Sequence, residues 1–474
     1  MRTPQIVWLR RDLRLADNPA LYHAAKAGPV VAVYVLDDAR AGSHAYRGAS
    51  RWWLHHSLAS LGQSLAARGS RLVLRRGDAV EELVRLAAET GATRIHANRH
   101  YEPWWRKAQG ELKARIDLQL HDANYLLPPG AVTTGTGGPY KIYTPFSKAV
   151  LEQLPPREAL PEPEALSAPP QWPASDALED WGLLPIAPDW AGGMRAFWQV
   201  GEAAAHERLA WWAHRVDDYQ EDRNLPSVDK TSRLSPHLHF GEISAVQVWH
   251  SLKRMIALEQ RSGSANKASH GWRTFEKELI WRDYAQNAIC QFPRYALDNY
   301  RAEFDRIAWR DPATDPGAAR DLKAWQQGQT GYPIVDAGMR QLWQTGWMHN
   351  RVRMIAASFL IKHLMIDWRV GEQWFWDTLV DADYASNACN WQWVAGTGVD
   401  SNMFVRIMAP LSQSEKFGAA SYIREYVPEL AALDEPFVHD PPDHIRGRYP
   451  RRIVEHREGR ERALAAYAAM KAAG

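Results

Sequence analysis

The chain contains two cysteines, Cys290 and Cys389, in 474 residues. Two thiols cannot build a disulfide framework, and they exclude a four-thiolate metal or iron–sulfur site. Long apolar runs are missing too. The longest, around Met354–Ile361, falls far short of the about 20 residues that cross a bilayer, and residues 1–15 alternate apolar residues with Arg too early for a secretory signal. Neither sign of charge dominates: 57 Lys and Arg stand against 55 Asp and Glu, a net +2. Any nucleic-acid surface therefore has to be a local patch. No G-x-G-x-x-G follows the first apolar run and no Gly-Lys pair closes a phosphate loop, which excludes a nicotinamide or nucleoside-triphosphate site by motif. His55, His56, His96 and His100 lack ligand spacing backed by acids or thiols, so no metal is expected. These absences suit a soluble protein of a reducing compartment, most simply the cytoplasm, away from membranes; a monomer is expected.

Tryptophan is what the chain has in excess, with 23 Trp against 17 Tyr and 11 Phe. Any one Trp is readily explained as core. Their concentration in the second half, beside Arg, Asn and Asp, is not.

Short β-branched runs at Ile6–Leu9, Val30–Leu36, Arg71–Leu74, Arg94–Ala97 and Leu118–Leu120 alternate with helix-patterned stretches at Gly48–Arg68, Asp78–Thr90 and Pro103–Arg115. This alternation predicts an α/β domain over 1–130 built on a doubly wound parallel sheet. Between Pro128 and Pro188 lie 13 of the 29 prolines, marking an inter-domain linker over 131–197. From Trp198 the periodicity is helical, with candidates at Glu202–Tyr219, Ser244–Ala257, Trp272–Cys290, Asp336–Thr345, Trp347–Leu364 and Gly371–Leu379, so 198–474 is expected to be all-α.

Three segments carry chemistry. Thr231-Ser232-Arg233-Leu234-Ser235 precedes a predicted helix and reads as a phosphate cradle or as an ordinary cap. On the next long helix Phe275, Glu278, Trp281 and Arg282 share a face, which suits either a buried ion pair or hydrogen bonding to a heteroaromatic base. In Gly331–Trp393, Trp347, Asn350, Arg351 and Met354 are placed on one helical face, too polar a mixture for a plain core stripe. Residues 340–370 hold five cations (Arg340, Arg351, Arg353, Lys362, Arg369) against Asp367 alone, a local basic patch. Asp381, Asp383, Asn387, Trp391 and Trp393 follow within thirteen residues, suggesting a polar pocket walled by indoles. His349 lies beside Asn350 on a different helical face and is given at most a minor proton role. A helical nucleic-acid-binding module without cofactor would explain the basic patch but not this cluster.

These residues resemble the photolyase/cryptochrome flavoproteins, from Trp8-Leu9-Arg10-Arg11-Asp12-Leu13-Arg14 to about residue 430, most specifically over Gly331–Trp393. The resemblance implies an α/β antenna domain joined to a helical FAD domain. It assigns Tyr219 and Thr231, Ser232, Arg233, Leu234 and Ser235 to the FAD phosphates and ribityl chain, Phe275 to the adenine, and Asp381, Ala382 and Asp383 to the cofactor, with Arg353 paired to Asp381. Asn387 would sit at flavin N5. Trp391, Trp368 and Trp309 match a three-Trp chain that reduces the flavin under light, with Trp325 as the alternative exit. Arg51, Glu102 and Trp104 fall where relatives hold a second chromophore, which the resemblance makes methenyltetrahydrofolate, with a deazaflavin as the alternative.

The family divides into repair enzymes and light sensors. Asn387 is the residue type that photolyases keep at N5, Glu278 matches the acid that hydrogen-bonds the damaged pyrimidines, and the chain stops at Gly474 soon after a final helix near Ile453–Ala473, without a signalling tail. Repair is expected, and a cryptochrome-type sensor is the alternative. Asn350 and Met354 match the cyclobutane pyrimidine dimer branch; enzymes for the (6-4) photoproduct carry His at the Asn350 position. Splitting a cyclobutane ring needs an electron in and the same electron back, with no net proton transfer. Trp281 and Trp393 are expected to wall the lesion pocket, while Arg223, Arg282, Arg351, Gln413 and Lys416 contact the DNA strand.

Overall fold

The computed structural model describes residues 2–261 and 265–473; Gly474, where the sequence stops, lies outside them. Five strands, β1 (Gln5–Leu9), β2 (Val30–Leu36), β3 (Leu72–Arg76), β4 (Arg94–Asn98) and β5 (Asp117–His121), form one parallel sheet in the order β3-β2-β1-β4-β5. Side chains alternate across a strand, and here both faces are covered. Val7 and Leu9 of β1 join Val30, Ala32, Tyr34 and Leu36 of β2 in one apolar core. Ile6 and Trp8 join Val31, Val33 and Val35 in another. That is why these strands read as continuous apolar runs. The strand order reverses between β1 and β4, so the carboxyl ends of these two strands open a crevice where ligands of such sheets bind.

The second half is helical, and no described helix is long and apolar enough to cross a membrane. Its largest core gathers Trp325, Trp368, Phe375 and Trp391 with the Pro333–Thr345 and Asn350–Ser358 helices. The proline-dense connection is not uniformly extended. It holds a helix, Tyr143–Glu152, whose Phe146 and Val150 pack into the helical domain's core with Leu279, Ile280 and Tyr284. Gly241 marks one place where the two halves meet closely. Its φ is +67°, and a Cβ at this position would lie 2.2 Å from the Arg11 carbonyl oxygen, which leaves room for glycine alone.

Two of the helix boundaries that differ from the sequence expectation bear on the site. Glu202–Ala213 stops before Tyr219, which begins a separate short turn, Tyr219–Asp222. The stretch expected to run from Trp347 breaks: Gly346 at φ +68° ends one helix, and the His349 side chain caps the next by accepting from the Arg351 N–H. Trp347 therefore does not share a face with Asn350, Arg351 and Met354; it is buried in the core of the first domain.

Candidate active site

Asp383 caps the Tyr384–Ala395 helix by accepting from the Ser386 N–H at 2.8 Å. The helix then presents Asn387 and Trp391 one turn apart. Asn387 Nδ2 donates to the Glu372 carbonyl at 3.2 Å and to Glu372 Oε1 at 2.9 Å, which fixes its amide. Arg353 reaches over from the Asn350–Ser358 helix and makes the expected fork with Asp381, at 3.1 and 2.9 Å. Arg11 from the first domain donates to Asp383 Oδ2 at 2.7 Å, and His239 Nδ1 lies 3.7 Å from the same oxygen. Burial would raise the Asp383 carboxyl, but His239 and the Arg11 charge hold it well below the usual carboxylate range.

The cradle segment is shaped from beneath by Arg208, which donates to the carbonyls of Ser232 and Thr231 at 2.7 and 2.9 Å. Arg233 holds a left-handed backbone at φ +51°, unusual for a side chain of its size. Its guanidinium pairs with Asp229 at 3.0 Å and lies over the Phe197 ring. Tyr219, Trp212 and Phe275 pack ring against ring, with Phe275 4.2 Å from Trp212. Four buried polar atoms around these groups, Arg233 Nε, His239 Nε2, Gln286 Oε1 and His349 Nε2, have no hydrogen-bond partner within the protein. A buried polar atom left unpaired is costly. A donor- and acceptor-rich cofactor such as FAD fits this set.

A cleft of about 580 Å³ opens on the far side of the Asn350–Ser358 helix, lined by Arg351, Met354, Trp393 and Gln413 as expected, together with Arg406 and Arg460. Among its described lining residues there are three guanidinium groups and no carboxylate. The patch counted in the sequence dissolves, however. Arg340 pairs with Glu429, Arg353 with Asp381 and Arg369 with Asp367, and Lys362 is fully buried. Only Arg351 of those five cations remains at the cleft, and the other positive charge comes from Arg406 and Arg460. Lys416 lies over the Phe417 ring, which Arg351 also covers, 4.5 Å from its centroid.

Glu278 pairs with Arg223, not with Arg282. Burial pushes its carboxyl above the ordinary range while the Arg223 charge pulls it back. Arg282 is a correction: its guanidinium donates to the carbonyls of Asn124 and Leu238 at 2.5 and 2.9 Å and lies over the Tyr125 ring, so it clamps the domains together rather than facing a DNA strand. His349 is also settled. Burial, then the charges of Arg351 and Arg353, lower it to about 3, and Nδ1 accepts from the Arg351 N–H, so the ring is uncharged at neutral pH and keeps its single proton on Nε2.

Trp391 packs edge-on against Trp325 at 6.4 Å and against Phe375 at 5.0 Å. Gly371, one turn along the helix from Trp368, lets the Trp391 ring approach; a Cβ there would lie 2.2 Å from it. Trp368 is buried and donates to Asn299 Oδ1 at 2.8 Å, while Trp309 is half-buried near the surface. Trp325 is 0% exposed and donates to the Ala356 carbonyl. It therefore does not itself meet water, whereas Trp309 lies nearer the surface.

Residues 5–164 match the family model described as DNA photolyase, and 275–469 match the FAD binding domain of DNA photolyase. A deoxyribodipyrimidine photo-lyase of Agrobacterium fabrum is 45% identical over 99% of this chain and 98% of its own length. The chain belongs to the photolyase/cryptochrome family. A bacterial class III photolyase structure from Agrobacterium tumefaciens superposes with a TM-score of 0.91 at 45% identity, covering 99% of this chain and 98% of that one. Cryptochromes are similar as well: cryptochrome-1 of Arabidopsis thaliana is 35% identical over 92% of this chain and 64% of its own length. The Synechocystis cryptochrome structure reaches a TM-score of 0.85 at 28% identity, covering 98% of this chain and 99% of that one.

Within this family fold, the crevice at the ends of β1 and β4 forms a groove lined by Arg11, Asp37, Asp38, His44, Tyr46 and Trp104, among others. Arg51 stands at its edge, paired with Asp38 at 2.5 Å. Glu102 is buried against the Arg11 guanidinium. His44 Nε2 lies 3.2 Å from Glu372 Oε1, the atom that holds Asn387. A chain of contacts thus runs from the groove to Asn387. Sequence reasoning missed Arg11, His44, Glu372, Arg406 and Arg460. Arg11 alone had a signal, standing inside the Trp8–Arg14 motif.

Proposed function

We propose that this protein is a deoxyribodipyrimidine photo-lyase that repairs cyclobutane pyrimidine dimers in UV-damaged DNA. The observation that carries the reading is the joining of two sites by one helix: Arg353 of Asn350–Ser358 faces the Asp381/Asp383/Asn387 cluster, while Arg351 and Met354 face the cationic cleft. The FAD would be held by Tyr219, the 231–235 cradle, Phe275, Arg353, Asp381, Ala382, Asp383 and Asn387. Bound and fully reduced, FAD would supply the light-driven electron-transfer chemistry that opens the cyclobutane ring.

The residues of the chain bind, orient and exclude water. Asn387 is fixed by Glu372, so its amide carbonyl is left to face the cofactor ring. Glu278, Asn350 and Met354 contact the flipped dimer, with Trp393 walling the pocket. A dimer stacks and pairs poorly, so extruding it costs less than the few kcal/mol of a normal base. Arg351, Arg406 and Arg460 take the phosphates, which makes binding salt-dependent. The groove at the ends of β1 and β4 takes the antenna, methenyltetrahydrofolate, with a deazaflavin as the alternative; Trp104 and Tyr46 offer ring faces to either. A cryptochrome-type sensor is the second reading, favoured by the similarity to plant and cyanobacterial cryptochromes. Illumination of chemically reduced protein with a dimer-containing oligonucleotide tests the choice. Light-dependent appearance of intact pyrimidines supports repair; their absence, or repair of the (6-4) product instead, overturns it.

A further inference from the structure

The segment between the domains delivers a residue that the chemistry above leaves unused. Tyr143 opens the Tyr143–Glu152 helix and lies face to face on Trp281, with ring centroids 3.4 Å apart and planes 2° from parallel. Its hydroxyl donates to the Lys277 carbonyl at 3.1 Å, one helical turn before Trp281. Its backbone N–H donates to Asp400 Oδ2 at 2.7 Å. Asp400 leads the loop in which Asn402, Val405 and Arg406 line the cleft. Tyr284 meets both rings edge-on, 5.4 Å from Trp281 and 5.7 Å from Tyr143.

Hydrogen bonds at both ends of Tyr143 fix it between the Glu278 helix and the cleft rim, the arrangement of a backstop and not of a hinged lid. Trp281 is 36% exposed with one face covered by Tyr143, which leaves its other face to solvent. A half-exposed indole on its own samples several rotamers, and binding must order it. Stacked parallel rings remove that freedom beforehand.

We propose that Tyr143 is a positioning residue for lesion recognition, holding the Trp281 indole as a rigid wall for the flipped dimer and tying that wall through Asp400 to the loop that lines the cleft. The proposal rests on the repair reading above. Holoenzyme, Tyr143→Ala and Tyr143→Phe would be compared in two measurements: dark affinity for a duplex carrying one cyclobutane dimer and for the same duplex undamaged, and dimers split per absorbed photon at saturating DNA with chemically reduced flavin. The alanine variant is expected to bind the dimer about three- to ten-fold more weakly. Its affinity for undamaged duplex, splitting yield at saturation and flavin content should be unchanged. The phenylalanine variant keeps the ring and should stay near the parent. Unchanged or tighter dimer binding by Tyr143→Ala overturns the proposal, the tighter result meaning that the phenol occupies the place of the base. So does a loss in Tyr143→Phe equal to that in Tyr143→Ala, or a parallel fall in flavin content. Should Tyr143→Ala fail to fold, Tyr143→Leu, with apolar bulk but no ring face, replaces it in the same comparison. Parent protein that splits no dimer would defeat the repair reading, while the binding comparison would still decide Tyr143.

Discussion

Arg11, two residues past the first strand, donates to Asp383, the cap of the helix that carries Asn387, at 2.7 Å. The pair is buried and welds the two domains at the start of that helix. Removing one partner of a buried pair leaves an uncompensated charge, which typically costs about 3–5 kcal/mol. The Asp383 carboxyl sits well below its ordinary range in the folded protein. As pH falls, the unfolded chain therefore takes up the proton first, and the stability present at neutral pH fades below about pH 4. Asp383→Asn should lose about 3 kcal/mol at pH 7 and show a flatter decline between about pH 5 and pH 3 than the parent. Urea melts across that range check it; parallel declines would show that the pair contributes nothing.

The alternation of short β-branched runs with helical stretches in the first domain was legible because both faces of the sheet are buried, which leaves an uninterrupted apolar signal. Pro19–Ala27 was not, since a short Ala-rich helix capped by Asn18 carries little periodicity. The Arg353–Asp381 fork was legible from the motif that holds both residues. Arg11, His44 and Glu372 were not, because they reach the site across the domain interface, over hundreds of residues of sequence. The basic patch failed for a different reason. Counting charges along a helix ignores where acids come from, and Glu429 and Asp381 arrive from other segments to neutralise two of the five.

Trp391→Phe should abolish light-driven reduction of oxidised FAD while leaving repair by chemically reduced enzyme largely intact, because the chain feeds the cofactor and not the lesion. Trp325 touches Trp391 but is shut from water, whereas Trp309 is half-buried near the surface. Trp368→Phe should therefore slow photoreduction more than Trp325→Phe. Flash spectroscopy of the three variants reads this directly; equal rates in all would mean that electrons enter by another route.

Glu278 accepts from Arg223, and in the proposed reading it contacts the flipped dimer. Glu278→Ala removes one strongly polar contact, worth about 1.5–3 kcal/mol, or roughly ten- to a hundred-fold in dimer affinity. Flavin content should not change. Because burial raises the carboxyl, Glu278→Gln, which mimics the protonated form, should keep more affinity than the alanine variant. A variant that loses flavin while its residual holoenzyme repairs normally would reassign Glu278 to the fold.

Lys362 is the one member of the sequence's basic patch that is fully buried, and it donates to the carbonyls of Phe404 and Arg406 at 2.7 and 3.4 Å. Burial lowers it from 10.5 to about 7. Between those values the unfolded chain binds the proton and the folded protein does not, so the lysine's contribution to stability rises with pH, by at most about 1.4 kcal/mol per unit. Below about 7 the cost of burying the charge is present in full. Lys362→Met keeps the volume and removes the proton. The variant should be at least as stable as the parent at pH 7, since a well-packed apolar isostere often matches or exceeds a buried ion, and the parent should gain on it steadily from about pH 7 to 9.5. Denaturation midpoints of the two proteins at matched pH test the sign. Parallel curves would mean that the Phe404 and Arg406 carbonyls hold the ammonium charged in the folded protein, and the difference between folded and unfolded titration would be gone.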